Sequence, residues 1–300
     1  MELKQVEYIL KIAEENNITH AAEKLFITQS ALNQQLLKLE KELGTPLFHR
    51  NRNNWSLTEA GEVYVKNARE LLRIKKSTYD QIRDISNIQK GTLSIGYTPA
   101  RGIRMFGSVY PAFHSVFPDI TVIPTEGRVR ELQPMIANDS LDIAFLTLNR
   151  SDFTGDEYIK LLDEEIYLII PQEHPLSRYA APVGEPRATL DINLLRNEPF
   201  VLMDKSSTMR ETIENIFHET GFHPRVLFET KDNPTILLQV RSNICCSLVP
   251  AYYLRNNPEG IACFALPSHP TWQVCACHKK GRYLSDAAKY FIELAKNYWM

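Results

Sequence analysis

The chain has no charge excess of either sign: 34 Lys and Arg stand against 36 Asp and Glu, a formal net charge of −2 over 300 residues. A strongly basic balance would have pointed to nucleic acid; here the sum offers no such pointer. Long apolar runs are also missing. Those present, such as Ile166 to Pro171, fall far below the roughly 18 residues of a membrane span, so no membrane partner is expected. The first residues mix acids with apolar positions at helical spacing and lack the basic start and unbroken apolar stretch of an export signal, so a cytoplasmic protein is expected. Cysteine is scarce and confined to the last part of the chain: Cys245, Cys246, Cys263, Cys275 and Cys277. An odd count in a reducing compartment argues against a disulfide framework.

Several chemistries are absent as well. No G-x-x-x-x-G-K-[ST], G-x-G-x-x-G or G-x-S-x-G occurs, so nucleotide-binding and hydrolase signatures are missing, and neither an enzyme nor a cofactor is expected. His218-Glu219 with His223 is spaced i, i+5 across Gly221, which reads as a helix end, so the two imidazoles do not share a face for zinc. Cys275 and Cys277 alternate on one strand face, where thiols act as small apolar groups.

What is present is organised in three parts. Residues 1–58 read as short helices with tight turns. Val6, Ile9, Leu10 and Ala13 follow one helical face; Thr19 is the expected cap of a second helix, Phe26-Ile27 a brief break, and Thr28 the cap of a third. Leu32, Leu36, Leu39 and Leu43 form that third helix's buried stripe, with Gly44 as its left-handed stop. Residues 59–90 read as one long amphipathic helix, capped by Thr58, whose apolar stripe calls for a partner, either its own domain or the same helix of a second chain. From Gly91 onward strands and helices alternate, which predicts an α/β fold with mainly parallel sheets. We expect two lobes, about 91–163 with 266–300 and about 164–265, separated by a cleft.

A helix, a three-residue turn and a second helix with a polar outer face is the arrangement that lays a helix in the DNA major groove. The outward residues are Thr28, Gln29, Ser30, Asn33, Gln34 and Lys38, whose amides and hydroxyls suit base edges; Arg50 and Arg52 fall where a hairpin wing would reach phosphate or the minor groove. At these residues the chain resembles the LysR-type transcriptional regulators. The likeness runs through Ala21-Ala22-Glu23-Lys24-Leu25, Thr28-Gln29-Ser30-Ala31-Leu32, Leu39 to Gly44, Pro46 to Arg50 and Leu57 to Gly61. It continues through Pro111-Ala112-Phe113, Ser140 to Ala144, His174-Pro175-Leu176 and Leu248-Val249-Pro250. The resemblance implies a winged helix-turn-helix, a dimerising linker helix and a two-lobed, periplasmic-binding-protein-like (type 2) effector domain. It further implies a homotetramer that binds double-stranded promoter DNA under control of a small molecule. The chain departs from the family pattern at Ser30, where proline is usual, at Asn33-Gln34, where Ser-Arg is usual, and at Asn243 and Cys245, where glycines are frequent.

Ligands in α/β folds sit beyond the carboxyl ends of strands, beside helix N-termini. Three such ends are visible: Thr98-Pro99-Ala100-Arg101, Thr125-Glu126-Gly127-Arg128 and Asp204-Lys205-Ser206-Ser207. The resemblance implies effector contacts at Thr98, Ala100, Gly127, Arg128, Thr147 and the Met203-Asp204 turn. Arg101, Arg104, Arg128 and Arg130 would make the first-lobe side electropositive, so the expected effector is an anion, a carboxylate or a phosphate ester. The alternative is a cysteine-based redox regulator of the same architecture, using Cys245 or Cys246; an enzyme or solute-binding protein built on the two-lobed domain alone leaves the first sixty residues without a use.

Overall fold

The apolar period at the amino terminus folds into α1 (Leu3–Glu15), which buries Val6, Ile9, Leu10 and Ile12. The next helix, α2 (Ile18–Lys24), is capped two residues earlier than expected: the Asn17 side-chain oxygen accepts from the N–H groups of Thr19 and His20. Thr19 is therefore a first-turn donor and not the cap. Thr28 does cap α3 (Gln29–Leu43), its Oγ1 accepting from the Ala31 N–H at 3.2 Å, and Gly44 ends that helix at φ +72°.

The α2–α3 turn closes with the Phe26 N–H donating to the Glu23 carbonyl and the Ile27 N–H to the Ala22 carbonyl, with Phe26 at φ +54°. This pattern of C-terminal closure ordinarily takes glycine, because a Cβ in the left-handed region costs roughly 1–2 kcal/mol. Strands β1 (Phe48–Arg50) and β2 (Trp55–Leu57) form an antiparallel hairpin with Phe48 opposite Leu57. The long helix, α4 (Glu59–Ile85), starts at the Thr58 cap and has 27 residues, about 40 Å at 1.5 Å per residue. Its first turn lies against the hairpin so closely that a Cβ on Gly61 would stand 2.0 Å from the Leu47 carbonyl oxygen. We expect Gly61→Ala to destabilise this part of the molecule by about 1–3 kcal/mol through overpacking; an unchanged unfolding midpoint in urea would show that the backbone gives way freely.

The structure is a computed structural model that describes residues 2–51, 55–86, 88–182, 184–255 and 259–300. It divides at Ile88/Gln89 into two units. The second begins with β3 (Gly91–Tyr97), α5 (Arg101–Val116), β4 (Ile120–Glu126), α6 (Val129–Ala137) and β5 (Ile143–Leu148), with β3 parallel to both β4 and β5. The next strand, β6 (Glu157–Pro171), runs unbroken over 15 residues. It is followed by β7 (Pro199–Met203), α7 (Thr208–Thr220), β8 (Arg225–Thr230), α8 (Asn233–Arg241), β9 (Ser247–Pro250), β10 (Ile261–Phe264), β11 (Thr271–His278) and α9 (Asp286–Trp299).

The expectation of mainly parallel sheets is corrected here. The main sheet is mixed, in the order β10-β6-β11-β5-β3-β4, with β9 also on β6, and every pairing of β6 and every pairing of β11 is antiparallel. The reason is topological. β6 carries the chain from one lobe to the other and β11 carries it back, so the two crossings run in opposite directions. Each lobe has its own core: Leu93, Phe113, Phe145 and Phe291 in one, Ile166, Phe200, Phe222 and Phe264 in the other. Asn243 takes the left-handed conformation, at φ +58°. Among the described residues no helix is long and apolar enough to cross a membrane.

Candidate functional site

Two places carry the residues singled out above. In the first unit, α3 and its cap present Thr28, Gln29, Ser30, Gln34 and Lys38 to solvent, with Asn33 half-buried. The face is polar and uncluttered, since the helix's apolar stripe is spent on Leu32, Leu36 and Leu39 inside the core. Arg50 is placed differently from a free wing cation. Its guanidinium is hydrogen-bonded to the Glu40 carboxylate of α3 and lies 5.5 Å from the Trp55 ring centroid, while Glu40 also accepts from the Leu47 N–H at 2.8 Å. Arg50 thus braces the hairpin against α3, and its charge is already matched. Arg52 lies outside the described residues.

In the second unit a cleft of about 420 Å³ opens between the lobes. The N-cap residues of four helices line it: Ala100 of α5, Arg128 of α6, Ser207 of α7 and Asp232 of α8. Four sets of first-turn N–H groups and the positive ends of four helix dipoles therefore converge on one space. Ser207 and Asp232 spend their side chains on their own helices, and Glu131 closes the start of α6 by accepting from the Arg128 N–H at 2.8 Å. The start of α5 has no such side-chain cap.

Thr98, Pro99, Ala100, Arg101, Arg128, Thr147, Met203 and Asp204 all line this cleft. Glu126 and Gly127 do not. Gly127 is drawn into the fold by its N–H, which donates to the Tyr97 carbonyl, and a Cβ there would meet Leu132. Arg104 and Arg130 are exposed on helix surfaces away from the cleft. The expectation of an electropositive arginine cluster is thus narrowed to Arg128 and Arg101, and neither is a free cation.

Arg128 reaches across to Asp204, with Nη1 and Nη2 at 3.4 and 3.3 Å from the two carboxylate oxygens. Burial pushes the Asp204 carboxyl up, but hydrogen bonds from the Ser206 hydroxyl and N–H, together with Arg128, outweigh it and hold the group below the usual carboxylate range. Arg101 is 5% exposed and donates from Nη1 to Glu164 at 2.6 Å. Its guanidinium sits among three rings, 4.7 Å from the centroid of Trp299, 5.0 Å from Tyr252 and 5.6 Å from Trp272.

Residues that the sequence reasoning did not select as contacts complete the lining, notably Thr208, Lys231, Asn233, Tyr253 and Trp272. Asp232 is the cap of α8, and Asn233 is the first helical residue, buried, with its Oδ1 lacking a protein donor among the described residues. Tyr253 belongs to the same corner: burial raises its hydroxyl pKa, against the opposing effects of Arg101 and Asn233.

The five thiols are enclosed by the fold. All five are buried, and burial pushes Cys245 and Cys275 up to about 11 and Cys246, Cys263 and Cys277 up to about 12, the reverse of what an oxidant-sensing thiolate needs. Among the described residues no cluster of His, Cys, Asp or Glu is arranged to hold a metal ion.

A winged helix-turn-helix with a long helix behind it, followed by a two-lobed α/β unit with a cleft between the lobes, defines a DNA-binding regulator with a ligand-sensing domain. Family comparison agrees. The model described as "Bacterial regulatory helix-turn-helix protein, lysR family" matches residues 3–62, and "LysR substrate binding domain" matches residues 86–300. The chain belongs to the LysR family. It is 29% identical to the uncharacterized HTH-type transcriptional regulator YcgK of Bacillus subtilis, over 99% of this chain and 94% of that one. It is 31% identical to a probable RuBisCO transcriptional regulator of Emiliania huxleyi, over 74% of this chain and 69% of the other. A full-length OxyR variant from Pseudomonas aeruginosa shares the fold, with a TM-score of 0.71 at 23% identity, covering 99% of this chain and 94% of that one. The two sequence relatives carry the names of transcriptional regulators.

Proposed function

We propose that this regulator answers to a small organic anion, a carboxylate or phosphate ester, held between the lobes. The observation that carries the reading is the convergence of four helix N-termini on one cleft, an electrostatic arrangement that favours negative charge. Arg128 is the anchor in this reading: an anion entering the cleft takes over the guanidinium that Asp204 now shares.

The test is a thermal-shift screen of small organic acids and their neutral amides against the wild type and Arg128→Ala. At a hundred times Kd a ligand that binds only the folded state adds about 2.7 kcal/mol, so an acid that fits raises the melting midpoint by several degrees. We expect the amides to give none of this and Arg128→Ala to bind the acid roughly tenfold or more weakly, the worth of a charged hydrogen bond. Equal shifts in the two proteins would remove Arg128 from the site, and equal shifts from acids and amides would remove the anion.

On the DNA side the reading places Thr28, Gln29, Ser30, Asn33, Gln34 and Lys38 at the major groove. Arg50 supports the wing through Glu40, and α4 is the surface covered by a second copy of the chain. Val63, Ile74, Tyr79, Ile82 and Ile85 of α4 are exposed, and a groove of about 730 Å³ runs beside its first half between Leu43, Pro46, Val63 and Leu71. An exposed apolar stripe of this length on a soluble regulator marks an association surface. Dimers of this kind, paired again into tetramers in the cytoplasm, complete the proposal.

A further inference from the structure

Phe26 is the most exposed large apolar side chain among the described residues, at 96%. It also occupies the left-handed closing position of the α2–α3 turn, at φ +54°, where the backbone pattern favours glycine. The ring therefore gains nothing from the core of its own domain, and its Cβ strains the turn. Both features are unfavourable for folding, and strain of this sort collects at functional positions. The place is specific: two residues on is Thr28, the cap of α3, followed by the exposed Gln29 and Ser30. An apolar ring standing at the edge of a polar recognition face has one continuous surface to meet, the wall of the groove that receives that helix.

We propose that Phe26 is a DNA-contacting residue whose ring packs on the deoxyribose edge of the backbone beside α3. A sugar edge is the apolar part of the DNA backbone, common to every sequence, so the contact adds affinity without base preference and without neutralising phosphate. The inference rests on the reading that α3 enters the groove. It extends that reading to a residue outside the helix and to a contact of a different kind from those of Gln29 and Lys38.

The full-length protein is titrated against two labelled duplexes, the DNA upstream of its own gene and a scrambled duplex of the same length, over a salt series starting at about 50 mM. The variants are Phe26→Gly, which removes the ring and suits the backbone, and Phe26→Tyr, which keeps the ring. We expect Phe26→Gly to bind both duplexes roughly fivefold more weakly, the worth of one aromatic contact. The slope of log K against log salt stays unchanged, the melting midpoint is equal or higher, and Phe26→Tyr binds within about twofold of wild type. Wild-type affinity in Phe26→Gly overturns the inference and leaves the DNA reading standing. A loss confined to the upstream duplex, a reduced salt slope, or a lower melting midpoint each overturns it too, by assigning the ring to bases, to charge or to the fold. Failure of the wild type to bind either duplex at the lowest salt overturns the α3 reading and this inference with it.

Discussion

Arg101→Ala lowers the melting midpoint of the second unit by roughly 10 °C. The cause is Glu164, which is 3% exposed. Its carboxylate accepts from Arg101 Nη1 at 2.6 Å, from Trp272 Nε1 at 2.8 Å and from the Tyr252 N–H at 2.8 Å. Removing the arginine leaves a charge on β6 with two neutral donors and no countercharge. Breaking a buried pair from one side costs about 3–5 kcal/mol, chiefly because the remaining charge stays buried. In a domain of this size each kcal/mol moves the midpoint by about 2–4 °C. The three rings around the guanidinium lose their cation as well, and the small alanine leaves a void between them. The double variant Arg101→Met with Glu164→Gln separates charge from packing: it restores a large part of the loss if the uncompensated carboxylate is the cause. Calorimetry of the three proteins decides. A shift under about 2 °C in Arg101→Ala would mean that water reaches Glu164 as soon as the arginine is gone.

That residue shows where sequence reasoning stops. Most caps and stops of the first unit were legible because their causes are local: Thr28 and Ala31, Thr58 and Gly61, Gly44 with its left-handed φ, all act within one turn, whereas the cap of α2 fell to Asn17 and not to Thr19. Three of the four helix starts that line the cleft, those of α5, α6 and α7, were legible for a related reason, since strand ends followed by helix starts place them, while the start of α8 was passed over. What was not legible is what those residues hold. Arg101 and Glu164 are 63 positions apart, and Arg128 and Asp204 are 76 apart. Each looked like an unpaired charge until the fold supplied its partner. Arg50 is the short-range version of the same lesson, a wing cation neutralised by Glu40 on the preceding helix. Tyr253 and Trp272 reach the cleft from the segment after β9 and from β11, and no local pattern marks a residue for that. The strand directions were misread because alternation of strands and helices describes each lobe and not the two crossings between them.

The near-neutral charge leads to the second large effect. Residues 1–60 carry seven Lys and Arg against eight Asp and Glu, and one of those cations, Arg50, is matched by Glu40. A single domain therefore neutralises few phosphates, and phosphate neutralisation is the main source of non-specific affinity. On the proposed assembly, useful binding comes from several copies acting together, where the second domain binds at the effective concentration set by its tether and avidity rises by about 10²–10⁴. Val63→Glu tests this in the full-length chain. Val63 is 59% exposed, so the charge is solvated in the free protein and the fold is kept. In a dimer built on α4 the same carboxylate is buried without a partner, and burying an unpaired charge is strongly unfavourable. We expect sedimentation to show a smaller assembly, affinity for the upstream duplex to fall roughly a hundredfold or more, and the salt slope to drop to about half, since half as many phosphate contacts release counterions. An assembly that shrinks while binding holds would show that one domain suffices, and the weak charge of its recognition face would then need another explanation. An assembly that keeps its size would move the self-association surface off α4 altogether.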